Sequence, residues 1–394
     1  MARKQTRNEQ YAGGFPPGME AFEKLTDPRN GRAKRHYFGE VLFIALAAMV
    51  SGMDDFLDFE RFAQERKEWL SKWLKLPHGT PSDDTFRRIF TALDPDTFCE
   101  CFITFVASLS SRLGQELVAI DGKTLRGSFK SADKSDALHL ISAWATGSGL
   151  TLGQLLVDSK TNEITAVPKL LRQIDVKGCV VSLDAMGCQK KIAIAIRHAE
   201  ADYLLSLKGN HGTLHSEVRG LFADSAALEA ARISGKVVAR ASCHDKGHGR
   251  IEERHITVTD HLDWLDAKER RSWLDLCSLV HVRSVRVKAD GSRSEEDRYW
   301  LTSLAPDAEK LLELSRGHWG IENECHWVMD VTYGEDGSRI RNGHAARNVS
   351  LLRRLAHNLL KHDQTVRDSI SGKRKRACLS TATLERFLKL DNPK

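Results

Sequence analysis

The sequence Gln-Glu-Leu-Val-Ala-Ile-Asp-Gly-Lys-Thr-Leu-Arg-Gly, at residues 115–127, places an acidic residue directly after a short apolar run. The run from Leu117 to Ile120 is typical of a strand that is buried on both faces. A carboxylate at the end of such a strand needs a metal ion, another cation or water beside it, because an unpaired buried charge is costly. Asp121 is therefore a candidate functional residue, and a strand that ends in a solvated turn is the simpler alternative.

The same pattern recurs at residues 179–187, Cys-Val-Val-Ser-Leu-Asp-Ala-Met-Gly, where a short apolar run leads to Asp184. In open α/β sheets, ligands bind at the carboxyl ends of the strands. Two strands that each end in an aspartate can bring both carboxylates to one sheet edge, where they repel each other unless a cation lies between them. Oxygen ligands favour Mg²⁺ or Mn²⁺ over zinc. Asp121 and Asp184 together therefore predict a site for a hard metal ion.

A third acid, Glu322, lies in the segment Arg-Gly-His-Trp-Gly-Ile-Glu-Asn-Glu-Cys-His-Trp at residues 316–327. An acid among apolar and aromatic neighbours is either paired or functional. We predict one long helix from Asp307 to Val328, on which His318 and His326 share the face of Glu322. A His-Glu-His metal set is the alternative here, although its spacing differs from the His-Glu-x-x-His pattern of zinc peptidases.

Three carboxylates of this kind suit two Mg²⁺ ions about 3.5–4 Å apart, which would stabilise the attacking and leaving oxygens of an in-line phosphodiester displacement. Such a set leaves coordination positions open for phosphate oxygens and water. Basic residues near the acids are then candidates for contacts with the DNA backbone. These residues are Lys123, Arg126, Lys208 and Arg316.

The composition is that of an ordinary globular protein, with 394 residues, of which 41% are hydrophobic and 28% are charged. The net charge of +6 permits nucleic-acid binding without requiring it. The eight cysteines include no Cys-x-x-Cys pair, which argues against a zinc ribbon and fits a reducing compartment. The longest apolar run, Val41 to Val50, is about half of the ~20 residues that a membrane span requires. We expect an intracellular protein without a membrane partner.

The N-terminal third predicts a group of helices. Residues 36–75 have helical periodicity, and aromatic residues recur in it as a core stripe. The sequence Ser-Asp-Asp-Thr at residues 82–85 predicts a helix start, because acidic residues are favourable in the first turn. Arg87 and Arg88 on this helix are candidates for entry into a DNA groove. A solvated helix face is the alternative for both.

From residue 115 the order of predicted elements is three strands, helix, strand, helix, strand, which indicates a mixed α/β sheet with helices packed on it. Residues 226–304 break this alternation with four predicted strands, on which Arg250, Arg254, Arg283 and Arg286 alternate with apolar residues. The predicted division is a flexible arm (1–25), a helical domain (26–112), an α/β domain (113–225 and 305–362), a β-rich insertion (226–304) and a basic tail (363–394) that we expect to be mobile after residue 370.

The three acids, Asp121, Asp184 and Glu322, resemble the DDE triad of bacterial insertion-sequence transposases, in particular their H-repeat-associated branch. The resemblance covers about residues 20–375. It extends to three further motifs: Leu-Lys-Gly-Asn at 207–210, Lys-Gly-His-Gly-Arg-Ile-Glu at 246–252 and Asp-Gly-Ser-Arg-Ile-Arg at 336–341. Several ordered motifs make this resemblance far more specific than any single acid.

The resemblance implies an RNase H-like mixed sheet with flanking helices, an all-helical N-terminal domain and a β-rich insertion before the glutamate. It implies a DDE-type DNA transposase that cleaves transposon ends and joins them to target DNA, with Mg²⁺ or Mn²⁺ as cofactor. The implied partners are double-stranded DNA and a second copy of the chain, as a homodimer in the DNA complex. The implied location is cytoplasmic and associated with the nucleoid. Asn210, in the Leu-Lys-Gly-Asn motif, is a further candidate DNA ligand.

The sequence departs from a signature of related cut-and-paste enzymes, Tyr-x-x-Arg-x-x-x-Glu-x-x-x-x-x-x-Lys, at three positions. They hold Ser315, His318 and Met329 here, so His318 and Arg316 become candidates for part of the phosphate contacts. A metal-dependent nuclease without strand transfer and a catalytically silent DNA-binding relic are the alternative functions. An NTPase is excluded, because Gly-Lys-Thr at 122–124 lacks the earlier glycine of a phosphate-binding loop.

Overall fold

A nine-stranded mixed sheet forms the centre of the protein in a computed structural model that describes residues 18–30, 34–109, 116–129, 137–157, 163–247 and 250–390. The strands are β1 (Leu117–Thr124), β2 (His139–Ala145), β3 (Leu150–Val157), β4 (Val180–Leu183), β5 (Asp202–Leu207), β6 (Val238–Gly247), β7 (Arg250–Thr259), β8 (Ser278–Lys288) and β9 (Arg293–Thr302). Their spatial order is β3-β2-β1-β4-β5-β9-β8-β7-β6. Strand β4 runs parallel to β1 and β5, and the other neighbouring pairs are antiparallel. The predicted mixed α/β architecture is confirmed.

Fifteen α-helices within the described ranges surround this sheet. They are α1 (Phe38–Val50), α2 (Phe56–Glu65), α3 (Lys67–Trp73), α4 (Asp83–Ala92), α5 (Pro95–Leu109), α6 (Glu163–Leu171), α7 (Lys190–His198), α8 (Gly212–Ala223), α9 (Ser225–Ile233), α10 (Ala267–Ser272), α11 (Ala308–Gly317), α12 (Trp327–Val331), α13 (Ala345–His362), α14 (Ile370–Leu379) and α15 (Thr381–Phe387). Helix α4 begins where the acidic start at residues 82–85 predicts it. No helix in the described part of the chain is both long and apolar enough to span a membrane.

The N-terminal helices and the sheet share one hydrophobic core. Every residue of α1 is buried, and α1 packs against α13, which also contacts α4, α5 and β3. The buried amide of Asn348 in α13 donates hydrogen bonds of 2.8 Å to the carbonyl oxygens of Phe90 and Leu93. These bonds satisfy carbonyl groups at the C-terminal end of α4, which otherwise lack helical partners. Helix α4 is therefore fixed relative to the sheet.

The four strands predicted at residues 226–304 continue the central sheet. Strand β9 pairs with β5, where Leu204 lies opposite Thr302, and β8, β7 and β6 follow outward. One face of these strands packs against α11 through a separate apolar cluster that includes Val282 and Leu311. Side chains on that face therefore point toward α11 and the segment that follows it.

The single helix predicted from Asp307 to Val328 is wrong. Helix α11 ends at Gly317, and a π-helical turn at Ile321–His326 leads into α12. Helical periodicity in the sequence does not show such a break, because a single π-helical turn interrupts the α-helical spacing over only a few residues. Turns of this type occur frequently at functional sites, and this one carries Glu322.

The expectation of a mobile segment after residue 370 is also wrong. Residues 370–387 form α14 and α15, and both pack against α1. Arg374 of α14 donates a 2.6 Å hydrogen bond to Asp54 and lies over the ring of Tyr333. The basic side chains of this segment thus hold the C-terminal helices on the core.

Candidate active site

Two of the predicted acids lie at the same level of neighbouring parallel strands. The last parallel register pair of β1 and β4 is Ile120 with Leu183, and Asp121 and Asp184 are the next residues. Neighbouring strands lie about 4.8 Å apart, so the backbones at these two positions are side by side. The predicted end of the strand at Asp121 is wrong, because β1 continues to Thr124 along β2 and Asp121 pairs with Ser142. Asp184, by contrast, is the first residue after β4, as predicted.

Glu322 reaches the same region because the π-helical turn packs closely on β1 and β2. Ile321 and Cys325 of the turn are buried against Ala119 of β1. A Cβ atom on Gly317 would lie 2.7 Å from Leu117, and one on Gly320 would lie 3.2 Å from Thr146. The two glycines therefore permit this close approach, and the exposed Glu322 follows directly after it.

The three carboxylates influence one another electrostatically. Burial raises the pKa of Asp121 to about 6, and Glu322, Glu163 and Asp184 add to that rise. Burial also raises the pKa of Glu322, with a further contribution from Asp184. Burial acts to raise the pKa of Asp184 as well, but the N–H of Ala185 and the ammonium of Lys208 lower it overall. The site therefore concentrates negative charge in a partly buried position.

No three His, Cys, Asp or Glu side chains in the described ranges lie in a geometry that is ready to hold a metal ion. The three acids do not form a finished metal site, and ligation requires their side chains to turn toward one another. Their chemistry fits a hard cation, because all three supply oxygen donors and because mutual repulsion contributes to the raised pKa values of Asp121 and Glu322.

The two histidines near Glu322 have different partners. His318 Nδ1 lies 2.9 Å from Ser182 Oγ, and His326 Nδ1 lies 3.5 Å from Asp121 Oδ2. Burial lowers the pKa of His318 to about 4 and that of His326 to about 3, so both rings are neutral at pH 7. The alternative His-Glu-His metal set is not assembled, and a neutral, buried His318 argues against the predicted phosphate contact.

A second pair of side chains beside Asp121 was missed by the sequence analysis. His139 Nε2 lies 2.6 Å from Glu163 Oε1, and Glu163 contributes to the raised pKa of Asp121. A Cβ atom on Gly122 would collide with both side chains, so this glycine makes room for the pair. The Asp-Gly sequence was the one available signal, because a glycine within a strand often marks the close approach of another group.

Lys208 and Asn210 directly follow β5, and their side chains contact Asp184 and the residue after it. Lys208 Nζ donates a 3.0 Å hydrogen bond to Asp184 Oδ1, and both side chains are about half exposed. Asn210 Nδ2 donates a 2.7 Å hydrogen bond to the carbonyl oxygen of Ala185. Asn210 therefore holds the backbone next to Asp184, while Lys208 neutralises its carboxylate.

Lys123 has a different environment from the predicted one. Its side chain is buried, and its ammonium pairs with Asp330 and lies 3.3 Å from Glu335 Oε2. Two arginines of α13, Arg353 and Arg354, meet the same glutamate. This burial argues for a structural role of Lys123 in place of the predicted contact with DNA.

The other predicted DNA ligands lie at the surface. Arg126 is 82% exposed and lies 3.6 Å from Asp336, and Arg316 lies 2.9 Å from Asp245. Arg87 pairs with two acids of its own helix, whereas Arg88 is exposed and makes no ion pair with the described residues. Arg87 and Arg88 line a cleft of about 510 Å³ on α4, apart from the three acids.

Comparison with known proteins agrees with this geometry. Residues 112–359 match the family model described as "Transposase DDE domain", and residues 19–106 match the model described as "DDE_Tnp_1-associated". The chain belongs to the family of DDE-domain transposases.

Similar curated proteins place the chain more narrowly within that family. It is 36% identical to the "Putative transposase YncI" of Escherichia coli O157:H7 over 94% of each chain. It is 33% identical to the "H repeat-associated putative transposase YhhI" of Escherichia coli K12, over 92% of this chain and 94% of the relative. These matches confirm the predicted bacterial insertion-sequence type, in its H-repeat-associated branch.

Proposed function

We propose that this chain cleaves the ends of its transposon and joins them to target DNA, with Asp121, Asp184 and Glu322 as the catalytic acids. The observation that carries the proposal is the parallel register of β1 and β4, which sets Asp121 beside Asp184. The DNA substrate follows from membership of the transposase family. An RNase H-like catalytic fold, with residues 26–112 as a DNA-binding helical domain and 226–304 as an insertion, is part of the same proposal.

The three carboxylates would hold Mg²⁺ or Mn²⁺, most simply as two ions, and the metal would supply activation of the attacking oxygen and stabilisation of the leaving oxygen. The chain's own residues prepare this site. Asn210 fixes the backbone at Ala185, and the Gly317 and Gly320 contacts fix the level of Glu322 against β1 and β2. Arg126 and Lys208 are two exposed cations that would contact phosphates.

A homodimer would bring two such sites to the two ends of one element, and we propose this assembly in the DNA complex. A metal-dependent nuclease that lacks strand transfer is the second candidate function, because the same acids serve hydrolysis.

The test is a plasmid assay with purified protein, Mg²⁺ or Mn²⁺, and DNA fragments that carry the sequences flanking the gene. Transposition predicts metal-dependent cleavage at those ends followed by joined products with a target plasmid. Cleavage without joined products would support the nuclease, and neither reaction in the presence of DNA binding would support a silent relic.

A further inference from the structure

An arginine-lined cleft of about 480 Å³ lies beside Glu322, between the outer strands of the sheet and the end of α11. Four arginines line it: Arg254 of β7, Arg286 of β8, Arg298 of β9 and Arg316 of α11. Two acids, Glu252 and Glu322, share the lining, and Asp245 and Glu296 pair with arginines of the cleft. A cleft of this size suits a nucleotide-sized group.

Strand alternation explains why these arginines gather on one side. Val282, Ser284 and Arg286 line the cleft, whereas Arg283 belongs to the opposite face, because neighbouring residues of a strand point to opposite faces. Arg283 pairs there with Glu295. Arg254 and Arg286 of the insertion therefore line the cleft together with Glu322, whereas Arg283 lies on the opposite face.

The arginines are held in place before any ligand binds. Glu252, which is 9% exposed in its side chain, pairs with Arg254 and lies 3.3 Å from Arg286 Nε. Arg254 and Arg316 both contact Asp245 Oδ2, at 2.8 and 2.9 Å. Preorganised guanidinium groups bind phosphate oxygens well, because their planar donors match that geometry.

The aromatic side chains of the cleft do not offer a free face to a base. Arg298 lies over the ring of Trp319, 4.1 Å from its centroid, and Trp300 is 1% exposed. A nucleobase would have to displace Arg298 before it could stack on Trp319. The Nε of Arg286 is buried and lies 3.3 Å from Oε1 of Glu252, but it makes no hydrogen bond within the described part of the chain, so this ion pair leaves the donor imperfectly satisfied.

From these contacts we infer that the cleft binds the phosphodiester backbone of the DNA strand next to the reacting bond, through Arg286 and Arg316 in particular. The inference rests on the proposed function, since it is Glu322 that marks the reacting bond. In this inference, β7, β8 and β9 hold the DNA substrate beside the three acids. The contacts are to phosphate and sugar and do not depend on base sequence.

The test measures binding of a short fluorescent duplex of arbitrary sequence in EDTA, over a series of salt concentrations. Arg286→Ala and Arg316→Ala should each weaken binding roughly tenfold, because each removes a charge-assisted contact. Each should also make the dependence of log affinity on log salt shallower by about one unit. The matched control is Arg283→Ala, on the same strand and the opposite face, which should leave both quantities unchanged.

Equal effects of Arg286→Ala and Arg283→Ala on DNA binding would overturn the inference. Displacement of the duplex by an equal concentration of inorganic pyrophosphate would also overturn it, because that result would indicate a simple anion site. Arg316→Ala covers the case in which loss of Arg286 disturbs folding, because Arg316 is half exposed at the end of α11. Thermal unfolding of every variant checks the fold. Binding in EDTA does not depend on cleavage, so a wild-type chain that binds through the cleft but never cleaves would refute the proposed function alone.

Discussion

The ammonium group of Lys208 lies 3.0 Å from Oδ1 of Asp184, so a predicted DNA ligand is paired with a predicted metal ligand. A divalent cation at the three acids needs oxygen atoms of Asp184 and competes with Lys208 for this carboxylate. If the cation displaced Lys208 from Asp184, the ammonium group could bind a phosphate oxygen instead. Metal binding would then strengthen DNA binding.

Replacing Lys208 with Met should raise the affinity of the DNA-free protein for Mn²⁺ about two- to fivefold, because the competing pair is half exposed and of modest strength. The same change should weaken DNA binding in the presence of metal. Calorimetric titration with Mn²⁺ measures the first effect. Lys190→Met is the control, since Lys190 pairs with Glu269 on α10. Weaker Mn²⁺ binding by Lys208→Met would contradict the competition.

Replacing Asp184 with Asn should abolish cleavage and leave DNA binding largely intact. The carboxylate would hold metal, whereas affinity for DNA comes mainly from contacts of lysine and arginine with phosphates. Gel-shift and cleavage assays on one DNA fragment measure both. Asp275→Asn serves as the control, because Asp275 is an exposed acid paired with Arg197. Full cleavage by Asp184→Asn would remove this residue from the catalytic set.

Replacing Glu335 with Gln should lower the free energy of unfolding at pH 7 by about 3–5 kcal/mol, the usual cost of breaking a buried ion pair. Although burial acts to raise the pKa of Glu335, Arg354, Lys123 and Arg353 lower it to about 2, below its ordinary 4.5. The stabilisation is therefore present above pH 4.5 and is lost as the pH falls toward 2.

Urea denaturation across this pH range measures the effect of Glu335→Gln. The difference from wild type should shrink as the pH falls from 4.5 toward 2. Glu313→Gln, at an exposed position of α11, should show neither the loss at pH 7 nor the pH dependence. A constant difference at all pH values would show that the ionised carboxylate is not the stabilising group.

Replacing Arg87 and Arg88 with Ala should weaken binding to the terminal repeat more than binding to random DNA. The prediction assumes that α4 enters a groove and contacts base edges. The structure adds that the C-terminal end of α4 is anchored to α13 through Asn348, which fixes the helix that carries these arginines. Paired affinity measurements on both DNAs provide the test.

The control for the α4 prediction is Arg61→Ala, an exposed arginine of α2 that pairs with Asp58. Equal losses on the two DNAs, with a shallower salt dependence, would mean that Arg87 and Arg88 touch only phosphates. That outcome would refute recognition of base sequence by α4, but it would be consistent with binding of α4 to DNA of any sequence.

The elements of the fold were largely predictable because they depend on local patterns. The apolar run before Asp121 and the one before Asp184 predict strands from a few residues each, and β1 and β4 follow. The acidic start of α4 is equally local. The break in the helix that carries Glu322 was not predictable, since it depends on how closely Gly317 and Gly320 approach β1 and β2.

The sequence by itself determined which acids are candidates, the strand that precedes Asp121 and the family resemblance, because each resides in a short contiguous motif. Tertiary structure alone decided the partners of the charged side chains. It buried Lys123 against Glu335, paired Lys208 with Asp184 and placed Arg286 in one cleft with Glu322. The physical reason is that a charged side chain pairs with a residue of the helix or strand that packs beside it. Helices and strands that are distant in sequence become neighbours only through the shared hydrophobic core and the continuous sheet.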